Sequence, residues 1–164
     1  MNKEESLIIT ITLIAFMIPL NLNNNDYSSP YVFLSLFLLV GTCIFYSVKF
    51  FTAPKAELMS ILYFMFFMFL IIIYFALLYE TFGIIDSTVE ISNNTPVIIL
   101  DLSWLNAIYF SVVTWTTLGF GDYRPHDSIK YLVIIESMIG YIFMSLLTGK
   151  FLYFFQKYTS QENN

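Results

Sequence analysis

Residues 116–122 read Thr-Thr-Leu-Gly-Phe-Gly-Asp, a polar, glycine-dependent run inside a strongly apolar chain. Irregular backbone at membrane depth survives only where protein or a water-filled cavity covers it, so the run should line something wet. The glycines indicate how. Successive carbonyls point the same way only if the backbone alternates between ordinary and left-handed conformations. Gly119 and Gly121 adopt positive φ at little cost, whereas residues with a Cβ resist it. Thr117, Gly119 and Gly121 then form one hand of a repeating pair, and Leu118 and Phe120 the other. The Leu118 and Phe120 side chains are expected to turn back into packing against the helix that precedes the run. The carbonyls of Thr117, Leu118, Gly119 and Phe120, with the Thr117 hydroxyl, would make a ladder of hard oxygen ligands. Such a ladder can stand in for the hydration shell of an alkali cation, and one strand supplies at most a quarter of each ring. Several copies must therefore surround an axis.

Composition places this run in a membrane protein. Of the 164 residues, 58% are hydrophobic and 12% charged, and the mean hydropathy is +0.74, more apolar surface than a soluble domain of this size can hide. The net charge of −5 argues against a nucleic-acid partner. A single cysteine, Cys43, cannot form an internal disulfide, and with a single histidine, His126, it is too little for a usual zinc site. No nucleophile–base set is evident, so an enzyme is not expected.

Four apolar segments could position the run: 6–22, which is short and carries Pro19, then 31–53, 58–80 and 128–155. A span needs roughly 20 residues of helix. The last three qualify outright, and the first is read as a retained helix because its start lacks the basic character of a signal peptide. The stretch 103–115, with Ser103 or Asp101 as N-cap, is amphipathic and would reach only about 20 Å as a helix. A short helix followed by a glycine run that returns to the same side is a re-entrant loop. The expected fold is thus all-α and integral to the membrane: four transmembrane helices plus a re-entrant helix and loop. Lys3, Lys49, Lys55, Lys150 and Lys157 fall on one side if both termini are cytoplasmic, leaving Arg124 and Lys130 outside. The outer side then collects Asp26, Glu80, Asp86, Glu90, Asp101, Asp122 and Asp127.

The sequence Thr-Trp-Thr-Thr-Leu-Gly-Phe-Gly-Asp-Tyr-Arg-Pro, residues 114–125, resembles the potassium-channel filter pattern T-x-T-T-V-G-Y-G-D followed shortly by proline. The match falls on Thr114, Thr116, Thr117, Gly119, Gly121 and Asp122 and extends more loosely over 58–155. The resemblance implies a homotetramer in the plasma membrane, in contact with lipid. Residues 1–54 would hold two peripheral helices. Residues 55–164 would form the pore domain: outer helix 58–80, extracellular loop 81–102, pore helix 103–115, filter 117–121 and inner helix 128–155. It implies potassium as the transported ion, bound in the filter at Thr117, Leu118, Gly119, Phe120 and Gly121, with Thr116, Trp115 and Asp122 as filter support. A weakly selective potassium/sodium channel and a non-conducting regulatory subunit are the alternatives. Leu118 stands where valine is usual and Phe120 where tyrosine is usual, so the filter loses a bracing hydroxyl. Val113 sits where some relatives carry a carboxylate, which leaves Asp122 to find another partner, expected to be the Trp115 indole N–H.

Glu136 and Gly140, both in the 128–155 segment, are gating candidates. An intramembrane carboxylate is costly and functional by default; its alternative is a protonated carboxyl packed behind the filter. Gly140 is either a hinge or a point of close helix packing. Glu136, Gly140, Met144 and Thr148, with Ser137 and Ser145, form a stripe expected to face the cavity or a neighbouring subunit, with Ile134, Ile142 and Phe151 opposite. The helix before the run would aim its negative C-terminal end at the axis. His126 could sense outside pH or be a solvated loop residue, Asp127 or Ser128 would cap the last helix, and Asn93-Asn94-Thr95 fits a glycosylation acceptor. The one arginine, Arg124, makes no voltage-sensing row, and no soluble ligand-binding domain is expected.

Overall fold

The computed structural model describes residues 3–22, 26, 29–52, 58–87, 98–99 and 103–162. Lys55, Glu90, Asn93-Asn94-Thr95, Pro96 and Asp101 lie outside the described residues, as do the side chains of Lys3 and Lys157. Five helices dominate: α1 (Lys3–Met17), α2 (Pro30–Thr52), α3 (Leu58–Phe82), α4 (Trp104–Trp115) and α5 (Lys130–Glu162). Three short strands accompany them: β1 (Ile84–Asp86), β2 (Ile98–Ile99) and β3 (Tyr123–Pro125). Among the described residues, three helices are long and apolar enough to cross a bilayer, over Pro30–Phe50, Ile61–Phe82 and Asp127–Gln156. The protein is an all-α membrane protein. With 15 residues, α1 reaches about 22 Å at 1.5 Å per residue, less than the ~30 Å hydrocarbon core. A 3-10 turn over Pro19–Asn21 follows it, because proline there cannot donate to a continuing α-helix.

Helix α3 is apolar on every face, and its burial matches. Ile71, Tyr74, Phe75, Ala76, Leu78 and Tyr79 are all fully buried, so α3 is the post around which the other helices pack. Helix α2 begins at Pro30, whose fixed φ suits a first helical position. It docks on α3 through Ser35, whose Oγ lies 2.7 Å from the Tyr74 hydroxyl while donating to Val32 O at 2.8 Å. Near the other end of α2 an aromatic stack crosses the bundle. Phe50 of α2 stacks on Phe64 of α3 at 4.2 Å and 12°, Phe64 stacks on Phe143 of α5 at 4.8 Å and 9°, and Phe143 meets Trp115 of α4 edge-on at 5.8 Å. Lys150 of α5 is buried; its Nζ donates to Phe50 O at 2.9 Å and lies 5.2 Å over that ring.

The small sheet was not legible as strands in the sequence. Its order is β2-β1-β3, antiparallel throughout, with Ile85 opposite Arg124 and Asp86 opposite Tyr123. Ser87 N–H donates to Asp122 O at 2.7 Å. The exit of α3 is thereby tied to the chain immediately after residues 116–122.

Candidate functional site

Helix α4 is built to stop short. Ser103 is its N-cap, in extended backbone, its side chain accepting from Asn106 N–H at 3.4 Å. The other end unwinds gradually: Thr116 N–H reaches Val112 O, Thr117 N–H reaches Thr114 O and Leu118 N–H reaches Val113 O, at 3.0–3.1 Å. The Thr116 hydroxyl donates to Val112 O at 2.7 Å. The last carbonyls of α4 are thus occupied by the first residues of the run, which fixes where the run begins.

Beyond Leu118 the pattern changes. Thr117, Gly119 and Gly121 have φ of 57°, 55° and 82°, while Leu118 and Phe120 do not enter the left-handed region. The alternation expected from the glycine spacing is present. Thr117 is the described non-glycine residue with positive φ, a strained conformation for a β-branched side chain that persists only where surrounding structure over-determines it. Among the described residues, no backbone donor meets the carbonyls of Thr117, Leu118, Gly119 or Phe120. Residues 116–121 are all exposed in the single chain. The run therefore presents a short strand of carbonyl oxygens that no described backbone donor uses.

One expectation about this run is met in part and another needs correction. Phe120 lies back against α4, parallel to Tyr109 at 6.4 Å and 10°, while in the single chain Leu118 and Phe120 stay 60% and 65% exposed. Asp122, in turn, does not use Trp115. The Trp115 Nε1–H is buried and unpartnered, while the Asp122 carboxylate sits beside the Tyr109 hydroxyl and raises its pKa above the usual phenol value. Asp122 Oδ1 also accepts from Tyr123 N–H at 3.0 Å, and the Tyr123 ring meets Tyr109 edge-on at 6.0 Å. Tyr109 thus contacts Phe120, Asp122 and Tyr123 together, a role the sequence reading missed. Its signal was available: an aromatic residue with a polar tip one helical turn before Val113, the position without a carboxylate.

Behind the run lies a cavity of about 360 Å³ whose lining includes Thr114, Thr117, Gly119, Arg124 and Ser137. Deeper still, α3, α4 and α5 meet at Glu136, which is fully buried. Glu136 Oε2 accepts from the Tyr79 hydroxyl at 2.7 Å, and Oε1 lies 2.5 Å from Ser111 Oγ. Gly140, one turn on, lies against the last residue of α4; a Cβ there would come within 2.4 Å of Trp115 O. This is close helix packing in the observed state.

The expected stripe on α5 is therefore divided. Glu136 and Gly140 face the chain's own α3 and α4, while Met144, Ser145 and Thr148 are exposed. A spacing of four drifts about 40° per step on a helix of 3.6 residues per turn, so Thr148 has rotated about a third of a circle from Glu136. Ile134, Ile142 and Phe151 are exposed. Ahead of α5, Asp127 and Ser128 lie inside a 3-10 turn over Asp127–Ile129 whose cap is His126, its Nδ1 accepting from Ser128 N–H at 3.4 Å. Asp127 instead pairs with Lys130 at 2.7 Å, both exposed.

Residues 67–157, more than half of the chain, match the family described as ion channel. No curated protein and no solved structure matches the chain. The matched span starts in α3, runs through α4, the carbonyl-presenting run and β3, and ends in α5. The chain belongs to the pore-loop ion channels with two transmembrane helices per pore unit.

Proposed function

We propose that this chain conducts potassium passively and selectively, as a homotetramer in the plasma membrane with the end of α5 cytoplasmic; the start of the chain joins it on that side if α1 and the 3-10 turn after it cross a locally thinned bilayer. The observation that carries this reading is the alternating backbone of residues 117–121 with its unspent carbonyls. Four such strands around an axis would stack rings of oxygens from Thr117, Leu118, Gly119 and Phe120, with the Thr117 hydroxyls as the innermost ring. An ion entering the rings exchanges water oxygens for carbonyl oxygens, and multiple sites in file keep each one weak enough to leave. In this reading α4 is the pore helix, α3 and α5 are the outer and inner helices of a pore domain over 55–164, and α1 and α2 form the peripheral pair within 1–54.

The single chain also exposes Leu105, Val112, Met138 and Tyr141. They lie on α4 and α5, the elements that flank the run, and a second copy of the chain would cover such a face. The negative end of the α4 dipole favours a cation below the rings, and Asp122 at the outer end of the run concentrates cations there.

A weakly selective cation channel is the second reading, favoured by one observation: among the described residues of a single chain, the aromatic ring that meets Phe120 is Tyr109. The test is flux through the purified protein in liposomes under opposed potassium and sodium gradients. A reversal potential near that of potassium supports the proposal. A value midway supports the second reading, and absent flux in tetrameric protein supports a regulatory subunit.

A further inference from the structure

Three short oxygen–oxygen contacts converge behind the run: Ser111 Oγ to Ile72 O at 2.9 Å, Ser111 Oγ to Glu136 Oε1 at 2.5 Å, and Tyr79 Oη to Glu136 Oε2 at 2.7 Å. Each needs one hydrogen. Ile72 O can only accept, so the single Ser111 hydrogen belongs to that contact. The Tyr79 hydrogen fills the third, where its hydroxyl donates to Glu136 Oε2. The Ser111–Glu136 contact is then left without a hydrogen unless Glu136 brings one. We propose that Glu136 is held as a neutral carboxylic acid and is a positioning residue, its proton completing a chain that locks α4, and with it residues 117–121, to α3 and α5.

The surroundings agree with the count. The group facing Glu136 from α3 is Tyr79, which is titratable; from α4 it is Ser111, which is not. On α5 itself, Ser137 donates to Thr114 O at 3.4 Å. Among the described residues the partners of Glu136 are hydroxyls, and an ionised carboxylate buried without a cation is strongly disfavoured. Removing the proton would leave Ser111 and Glu136 as two acceptors in contact and would release α4 from α5. The functional consequence rests on the reading of residues 117–121 as the filter; the proton itself does not.

Two measurements on the purified assembly separate these. Infrared difference spectra of wild type and Glu136→Gln should show, at neutral pH, a protonated-carboxyl stretch in the wild type that the variant lacks. A carboxylate band there instead would overturn the proposal whatever the protein conducts. In liposomes, Glu136→Gln should rescue flux, since its amide donates to Ser111 and accepts from Tyr79. Glu136→Leu should lose flux about tenfold, the scale of leaving buried hydroxyls unsatisfied. Wild-type flux should fall on alkalinisation while that of Glu136→Gln holds. Equal alkaline responses, or a glutamine variant as impaired as the leucine one, would refute the positioning role. Should Glu136→Leu not assemble, the infrared result and the alkaline comparison decide. Absent flux in every variant alongside the protonated band would sink the channel reading and leave the proton in place.

Discussion

Substituting Gly140 by alanine puts a methyl group where α5 crosses the end of α4. The added Cβ would lie 2.4 Å from Trp115 O and 3.2 Å from both the Trp115 carbonyl carbon and a ring carbon. The first distance is about 1 Å inside the separation of ~3.5 Å at which such contacts become favourable. The clashing atom is backbone, so no rotamer change relieves it, and α5 must retreat from α4 by a large part of that ångström. Overpacking of this kind costs about 1–3 kcal/mol. Alanine also gains about 1 kcal/mol over glycine in a helix interior, so the net is roughly 0–2 kcal/mol destabilising per chain, and the displaced carbonyl is two residues from Thr117. Gly41, in α2, has nothing within 4 Å of a built Cβ. Gly41→Ala therefore receives the helix gain without the clash and serves as the control. Thermal survival of the assembled protein in detergent should fall for Gly140→Ala, by about 2–4 °C per kcal/mol, and hold or rise for Gly41→Ala, with flux reduced in the first alone. Equal stability and flux in the two variants would refute close packing at this crossing. A changed open probability with unchanged thermal survival would instead identify Gly140 as a hinge.

Other perturbations test neighbouring parts of the account. Gly119→Ala places a Cβ at φ +55°, costing about 1–2 kcal/mol per chain, and should abolish selectivity in mixed-ion flux while α-helix content by circular dichroism is unchanged. Tyr109→Phe removes the hydroxyl that reaches Asp122 and should speed the decay of macroscopic current. Trp115→Phe, whose indole N–H has no partner to lose, should not reproduce that decay. Tyr74→Phe leaves Ser35 its bond to Val32 O but removes the α2–α3 link, and should lower stability by about 1 kcal/mol, read as an earlier thermal transition.

What the sequence made legible was whatever depends on neighbours along the chain. Apolar run length located α2, α3 and α5, the serine before an amphipathic stretch located the start of α4, and glycine spacing foretold the alternating φ of residues 117–121. What it hid depends on contacts between distant residues. Glu136 stood out as an expensive carboxyl, but its partners Tyr79 and Ser111 lie 57 and 25 residues away on other helices. In sequence both read as ordinary members of apolar runs. Asp122 was assigned to Trp115 because the two are close in sequence, yet Trp115 faces inward toward Phe143 and Gly140. The stripe from Glu136 to Thr148 divides, with Met144, Ser145 and Thr148 exposed and Glu136 and Gly140 turned inward, because a period of four drifts around a helix of 3.6 residues per turn. The strands escaped notice because two or three residues carry no readable alternation.

The most direct trial of the account is a density map of the assembled protein in potassium, compared with one in which sodium is the only alkali cation. The account predicts a fourfold axis flanked by the Thr117–Phe120 carbonyls, with a column of on-axis density in potassium that is altered in sodium. Carbonyls turned away from any axis, or an assembly without fourfold symmetry around them, would contradict it.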